Sequence, residues 1–173
     1  GALVGIAMVL AAVFLPMVLL GLHHGLIPIY AVQLQQTGSI TLFPVLSMAG
    51  AGQVGAAIAI YLKARNAGNY RMKRVIAGAL PAGILGIGEP LIYGVTLPLG
   101  KPFITAGLGA GFGGAYIMAS KVLFTAWGPS GLTAIPLAQP ASIMNYIYGI
   151  FISYAAGFII TMLFIKDSDI KGA

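Results

Sequence analysis

The stretch GIGEPLIYG, residues 86–94, sets one carboxylate, Glu89, in the middle of a long apolar run. A carboxylate at mid-membrane depth costs roughly 2.5–3.5 kcal/mol on insertion scales, so such residues face a cavity and by default serve function. A carboxylate held there can take up a hydroxyl proton or bind polyol hydroxyls. The structural alternative is an acid hydrogen-bonded to backbone amides freed near Pro90. The pair His23-His24 is the second candidate. Neighbouring residues point to different sides of any regular element, so one imidazole lines a polar site, unless the pair is interfacial or structural. A two-histidine metal site needs i,i+4 spacing and further ligands; no metal and no cofactor is expected. Gln33, Gln35, Gln36, Gln53 and Gln139 are neutral hydrogen-bonding groups in apolar surroundings. Amides suit polyols, but they also bridge helices, at about 0.6 kcal/mol each. Of these, Gln33 and Gln53 join His23, His24 and Glu89 as the candidate binding set.

The elements that must position these residues belong to a membrane. Of 173 residues 59% are hydrophobic and only 7% charged, against about 25% charged in a soluble domain. The class is therefore an all-α integral membrane domain. Nine Lys and Arg stand against three acids, and five of the nine fall in one stretch, Lys63 to Arg74. Such a cluster marks a cytoplasmic flank, so nucleic acid is not an expected partner. The absence of cysteine excludes disulfides and a cysteine nucleophile on this chain. The sequence starts without Met and without a charged leader region, which reads as a piece of a longer polypeptide.

A spanning helix needs about 20 apolar residues. Four stretches qualify: residues 1–20, 43–62, 104–124 and 145–165. Glycine runs in the second and third (GAGQVGA, GLGAGFGG) lack a following Gly-Lys-Ser/Thr, so they are packing motifs rather than phosphate loops. Residues 21–42 and 75–100 mix prolines, glycines and polar groups into apolar sequence. Irregular backbone at membrane depth is tolerated only in protein or beside a watery cavity. Both read as re-entrant hairpins, joined by a helix and a basic loop over 63–74. Trp127 to Pro140 is a third irregular segment, at the far interface. If 75–100 dips and returns, the tail KDSDIKGA ends in the cytoplasm; if it crosses, the tail lies outside. Two broken segments, one bringing His and the other Glu, meeting near the midplane would form a transporter site. Its low charge suits a neutral or singly charged hydrophilic solute.

The stretches GLHHGLIPIYAVQLQQTG, TLFPVLSMAGAGQVGAAIAI and GIGEPLIYGVTLPLGKPFITAGLGAGFGGAYI resemble the membrane component, enzyme IIC, of the phosphoenolpyruvate-dependent sugar phosphotransferase system, glucose superfamily. The GLHH and G-I-x-E-P-x-x-Y/F-G signatures stand in the family's order and separation, and the likeness covers nearly the whole chain. Sucrose, trehalose and β-glucoside members usually carry Thr before the Glu; here that position is Gly88. The combination is most similar to members that take N-acetylmuramic acid. The resemblance implies a multi-pass protein of the bacterial cytoplasmic membrane that carries a sugar inward. A phosphocysteine on a cytoplasmic IIB domain then phosphorylates the 6-hydroxyl. It implies that His23 or His24 and Glu89 bind the sugar, with Glu89 near the 6-hydroxyl as the catalytic base. It also implies that this chain matches the second, sugar-holding half of IIC. The first half, which supports a homodimer, and the IIB domain would be partners, with the lipid bilayer around them. Three rival readings remain: a proton-coupled secondary transporter, with Glu89 as proton carrier; a sucrose, β-glucoside or trehalose permease of the same family; and a non-catalytic membrane scaffold.

Overall fold

The computed structural model describes residues 2–19, 25, 27–40, 42–85, 89–125 and 131–165. These are helical apart from turns and isolated bridges: α1 (Ala2–Leu19), α2 (Ile27–Thr37), α3 (Leu42–Ala67), α4 (Tyr70–Ile84), α5 (Glu89–Leu91), α6 (Leu97–Leu99), α7 (Lys101–Ala119) and α8 (Ile143–Phe164). A π-helix, Ile92–Thr96, joins α5 to α6, and 3₁₀ turns cover Gly131–Leu137 and Pro140–Ser142. Three described stretches are long and apolar enough to cross a membrane: Phe43–Ala67, Lys101–Ala119 and Pro140–Phe164. The first is 78% buried inside the protein and the last only 28%. α3 is therefore the central helix and α8 a peripheral one.

Small residues explain how α3, α7 and α8 come together. A side chain on Gly157 of α8 would lie 2.6 Å from the Gly52 carbonyl oxygen of α3. One on Gly109 of α7 would lie 2.5 Å from the Gly157 backbone. The three backbones thus touch directly, as small residues permit in membrane helices. Such contacts also fix directions. Gly109, Gly113 and Gly149 meet Gly157, Ser153 and Ile117 in turn, so α7 runs against α8. Met48 lies by Gly149 and Gly52 by Gly157, so α3 runs with α8. Ala12 meets Gly107 and Met8 meets Gly111, so α1 also runs against α7.

One end of the bundle is clipped by backbone bonds. Ile40 and Phe124 exchange N–H···O bonds of 2.7 and 3.0 Å, and Gln139 N–H reaches the Leu123 carbonyl at 2.9 Å. Tyr30, Phe43, Phe124 and Tyr146 form a chain of ring contacts at this clip, edge to face at its two ends and tilted between Phe43 and Phe124. The opposite end holds the basic cluster Lys63, Arg65, Arg71, Lys73 and Arg74. Here the structure corrects the expected loop over 63–74: only Gly68 and Asn69 leave the helix. Gly68 adopts φ +78°, and Asn69 N–H bonds the Ala64 carbonyl at 2.9 Å, closing α3 in a Schellman turn. The Asn69 side chain then accepts from Met72 N–H at 3.0 Å and starts α4. The charges sit on two helix ends because the break needs only two residues of turn chemistry.

Within 75–100 the described residues form two helical arms, one ending at Leu85 and one beginning at Glu89. Gly83 lies against Leu91, and Gly94 lies against Val75 at 3.3 Å. The arms therefore run back along each other. Since α7 runs against α3, the chain from α4 to α6 starts and finishes at the basic end. α1 runs with α3, so Leu19 and Leu42 stand at opposite ends of the bundle; the hairpin expected over 21–42 lies partly outside the described residues. α2 occupies the α3 end of that stretch, with the Tyr30 ring centroid 5.6 Å from that of Phe43.

Candidate functional site

The arm that begins at Glu89 has an interrupted backbone ladder. Leu97 N–H bonds the Ile92 carbonyl, an i+5 step. Pro98 has no N–H, so a preceding carbonyl loses its helical donor. π-turns of this kind recur at functional sites. The run GVTLPLG builds the irregularity locally: one proline forces a wider turn just after the carboxylate-bearing residue.

α3 supplies the polar partner of this arm. Gln53 is fully buried. Its neighbours Val54 and Ala57 pack with Leu91 and Val95, while Ala49 and Ala56 pack with Ile92. Gln53 therefore faces the arm, and its Oε1 accepts from Thr96 Oγ1 at 2.7 Å. The Thr96 hydroxyl is fully buried too and lies 3.5 Å from the Leu91 carbonyl. Gln53 Nε2 has no hydrogen-bond partner among the described residues. Leaving such a donor unmet costs about 1–3 kcal/mol. The buried hydroxyl of Ser153, beside Gly113, is likewise unmet among the described residues.

Other buried polar groups are satisfied and hold helices together. Thr105 and Thr161 pair at 2.9 Å across α7 and α8. Ser47 and Tyr146 pair at 3.1 Å across α3 and α8. Lys73 Nζ stands 5.7 Å from the Tyr61 ring centroid, a cation–π distance.

The sequence-derived candidates separate accordingly. Gln53 meets the Glu89 arm through Thr96, which sequence reasoning missed. The available signal was a threonine hydroxyl between apolar Val95 and Leu97, two residues before Pro98. Glu89 opens α5; its side chain, like His23 and His24, lies outside the described residues. Gln33 is half-buried on α2, where its carbonyl accepts from the Thr37 hydroxyl at 2.7 Å. α2 packs on Phe43, ten residues before Gln53, about 15 Å along α3. The packing thus brings Gln53, but not Gln33, to the Glu89 arm. Gln139 spans to Ser39 Oγ at 2.8 Å and belongs to the clip, while Gln35 and Gln36 are exposed. Among the described residues no three His, Cys, Asp or Glu side chains converge to hold a metal.

The sequence profile described as "Phosphotransferase system, EIIC" matches residues 2–110. The chain belongs to that family. This EIIC chain is 49% identical over 170 residues to the "PTS system MurNAc-GlcNAc-specific EIIBC component" of Staphylococcus saprophyticus, covering 95% of the chain and 35% of that protein. It is 52% identical over 164 residues to the protein of the same description from Staphylococcus haemolyticus, covering 94% and 34%. The Staphylococcus aureus protein of that description is 48% identical over 170 residues, covering 95% and 35%. The chain thus spans about a third of the length of these curated relatives. No solved structure matches it. In EIIC terms, the profile covers α1 through the middle of α7, which includes Gln53, Thr96 and Glu89.

Proposed function

We propose that this EIIC chain forms the sugar-holding part of a phosphotransferase-system permease for N-acetylmuramic acid or a related amino sugar. The observation that carries the reading is the near-50% identity, over 94–95% of the chain, to proteins described as MurNAc-GlcNAc-specific. A polar group placed against the Glu89 arm supports it, because a hydrated solute rather than lipid must lie beside such groups.

In this mechanism the sugar enters between the Glu89 arm, α3 and the segment carrying His23 and His24. Gln53 and one imidazole hold its polar groups. The Glu89 carboxylate accepts the proton of the 6-hydroxyl as that oxygen attacks the phosphorus of a phosphocysteine on the IIB partner. The O–P bond forms, the S–P bond breaks, and the thiolate leaves. Little covalent work falls to the EIIC chain; positioning the hydroxyl in line is its task.

The helix directions support the following membrane arrangement. α1 is a fourth span, and the basic end of the bundle faces the cytoplasm. The α4–α6 unit starts and finishes there as a re-entrant hairpin, and the C-terminal tail emerges on the same side. The first half of a complete IIC packs beside this unit and carries the homodimer contact.

The test is binding of N-acetylmuramic acid, N-acetylglucosamine and sucrose to the purified protein, followed by phosphorylation in its native polypeptide with and without Glu89→Gln. Selective binding of the amino sugars is expected. Loss of phosphorylation in Glu89→Gln, at unchanged protein level, is expected too. Wild-type phosphorylation rates in the variant sink the assignment of Glu89. Uptake driven by a pH gradient without phosphoenolpyruvate points to the proton-coupled reading instead.

A further inference from the structure

The Gln53 carboxamide is held at one end and unmet at the other. Oε1 accepts from Thr96 at 2.7 Å, and Nε2 has no partner among the described residues. Turning the amide over does not remove the mismatch. Nε2 would then donate to Thr96, whose own proton could go only to the Leu91 carbonyl at 3.5 Å, and Oε1 would be the unmet atom. A buried amide with one end unsatisfied is destabilising by itself, so the open Nε2 is available to a bound group. The arm facing it is the part of the core able to yield. Its ladder shifts to i+5 bonding at Ile92–Thr96, and Pro98 withholds a donor.

The Thr96 bond decides what that group is. With Oε1 occupied, the carboxamide presents a donor and nothing else. A sugar hydroxyl both donates and accepts, whereas the carbonyl of an acetamido substituent only accepts. The two sugars in the relatives' description both carry an N-acetyl group, and this is what they share beyond ordinary ring hydroxyls. Resting on the sugar-uptake reading above, we infer that Thr96 is a positioning residue. It fixes the Gln53 carboxamide so that Nε2 donates to the acetamido carbonyl of an N-acetylated sugar, reached when the Glu89 arm lifts from α3.

The test compares N-acetylglucosamine with glucose, which carries a hydroxyl in place of the acetamido group. Phosphorylation is measured in membrane vesicles holding the protein in its native polypeptide, with phosphoenolpyruvate and the soluble phosphotransferase proteins. Gln53→Met keeps the volume and removes the unmet donor. It is expected to leave thermal stability at or above wild type while cutting the preference for the acetylated sugar by about 3- to 10-fold, through KM rather than kcat. Thr96→Val moves the ratio in the same direction, and Thr96→Ser keeps it within about twofold. The inference is overturned if Gln53→Met retains the full preference, or if both sugars are slowed equally. It is also overturned if Thr96→Ser behaves like Thr96→Val. If wild-type protein phosphorylates neither these sugars nor N-acetylmuramic acid, the uptake reading itself falls and takes this inference with it.

Discussion

Replacing Gly157 by alanine tests the backbone contact on which the arrangement of α3, α7 and α8 depends. The new methyl would stand 2.6 Å from the Gly52 carbonyl oxygen and 3.4 Å from Ala56 N. Ordinary contact begins at 3.4 Å, so α8 must retreat from α3 by about 0.8 Å, because the obstructing atom is backbone and cannot rotate away. A radial gap of 0.5–1 Å forfeits a quarter to a half of each dispersion well of about 0.1–0.2 kcal/mol. Spread over a few dozen atom pairs, the loss is on the order of 1–2 kcal/mol, within the usual range for overpacking. Gly157 also abuts Gly109, so the retreat loosens α7. Gly52 immediately precedes Gln53, so the strain reaches the bond to Thr96. The expected result for Gly157→Ala is a lower midpoint of thermal unfolding in detergent, accompanied by weaker sugar binding. Gly78→Ala is the control: nothing lies within 4 Å of its added methyl, and it sits inside α4. That change should be neutral or stabilising by roughly 0.5–1 kcal/mol. A Gly157→Ala protein as stable as wild type, or a Gly78→Ala protein equally weakened, would refute the packing argument.

Two further substitutions probe the other joints. Thr161→Val removes one partner of the 2.9 Å Thr105–Thr161 pair and should lower stability by about 0.6–1 kcal/mol. Thr161→Ser restores it, and equal stability of the three proteins in detergent unfolding would deny the bond a structural role. Asn69→Ala removes the acceptor of the Met72 N–H bond and should cost about 1 kcal/mol. The readout is faster proteolysis at the Gly68–Asn69 turn, recovered by Asn69→Ser.

Much of this protein is legible in the sequence because it depends on local composition. The paucity of charge names the membrane, and runs of about twenty apolar residues locate α3, α7 and α8 to within a few residues. The density of glycine announces close helix packing. Glu89 and Gln53 stand out because ionisable and amide groups are costly in apolar surroundings wherever the chain leads. Other features lie beyond that reach. The basic stretch 63–74 looks like a loop from its charge, but two residues of turn chemistry suffice, so the helices run through it. Which glycine meets which, and that α1 runs with α3, depend on contacts between residues far apart in the chain. Thr96 is the clearest case. In sequence it is one hydroxyl among apolar neighbours, 43 positions from Gln53. Only the packing of the Glu89 arm on α3 makes it the group that decides which end of a buried amide is left to bind.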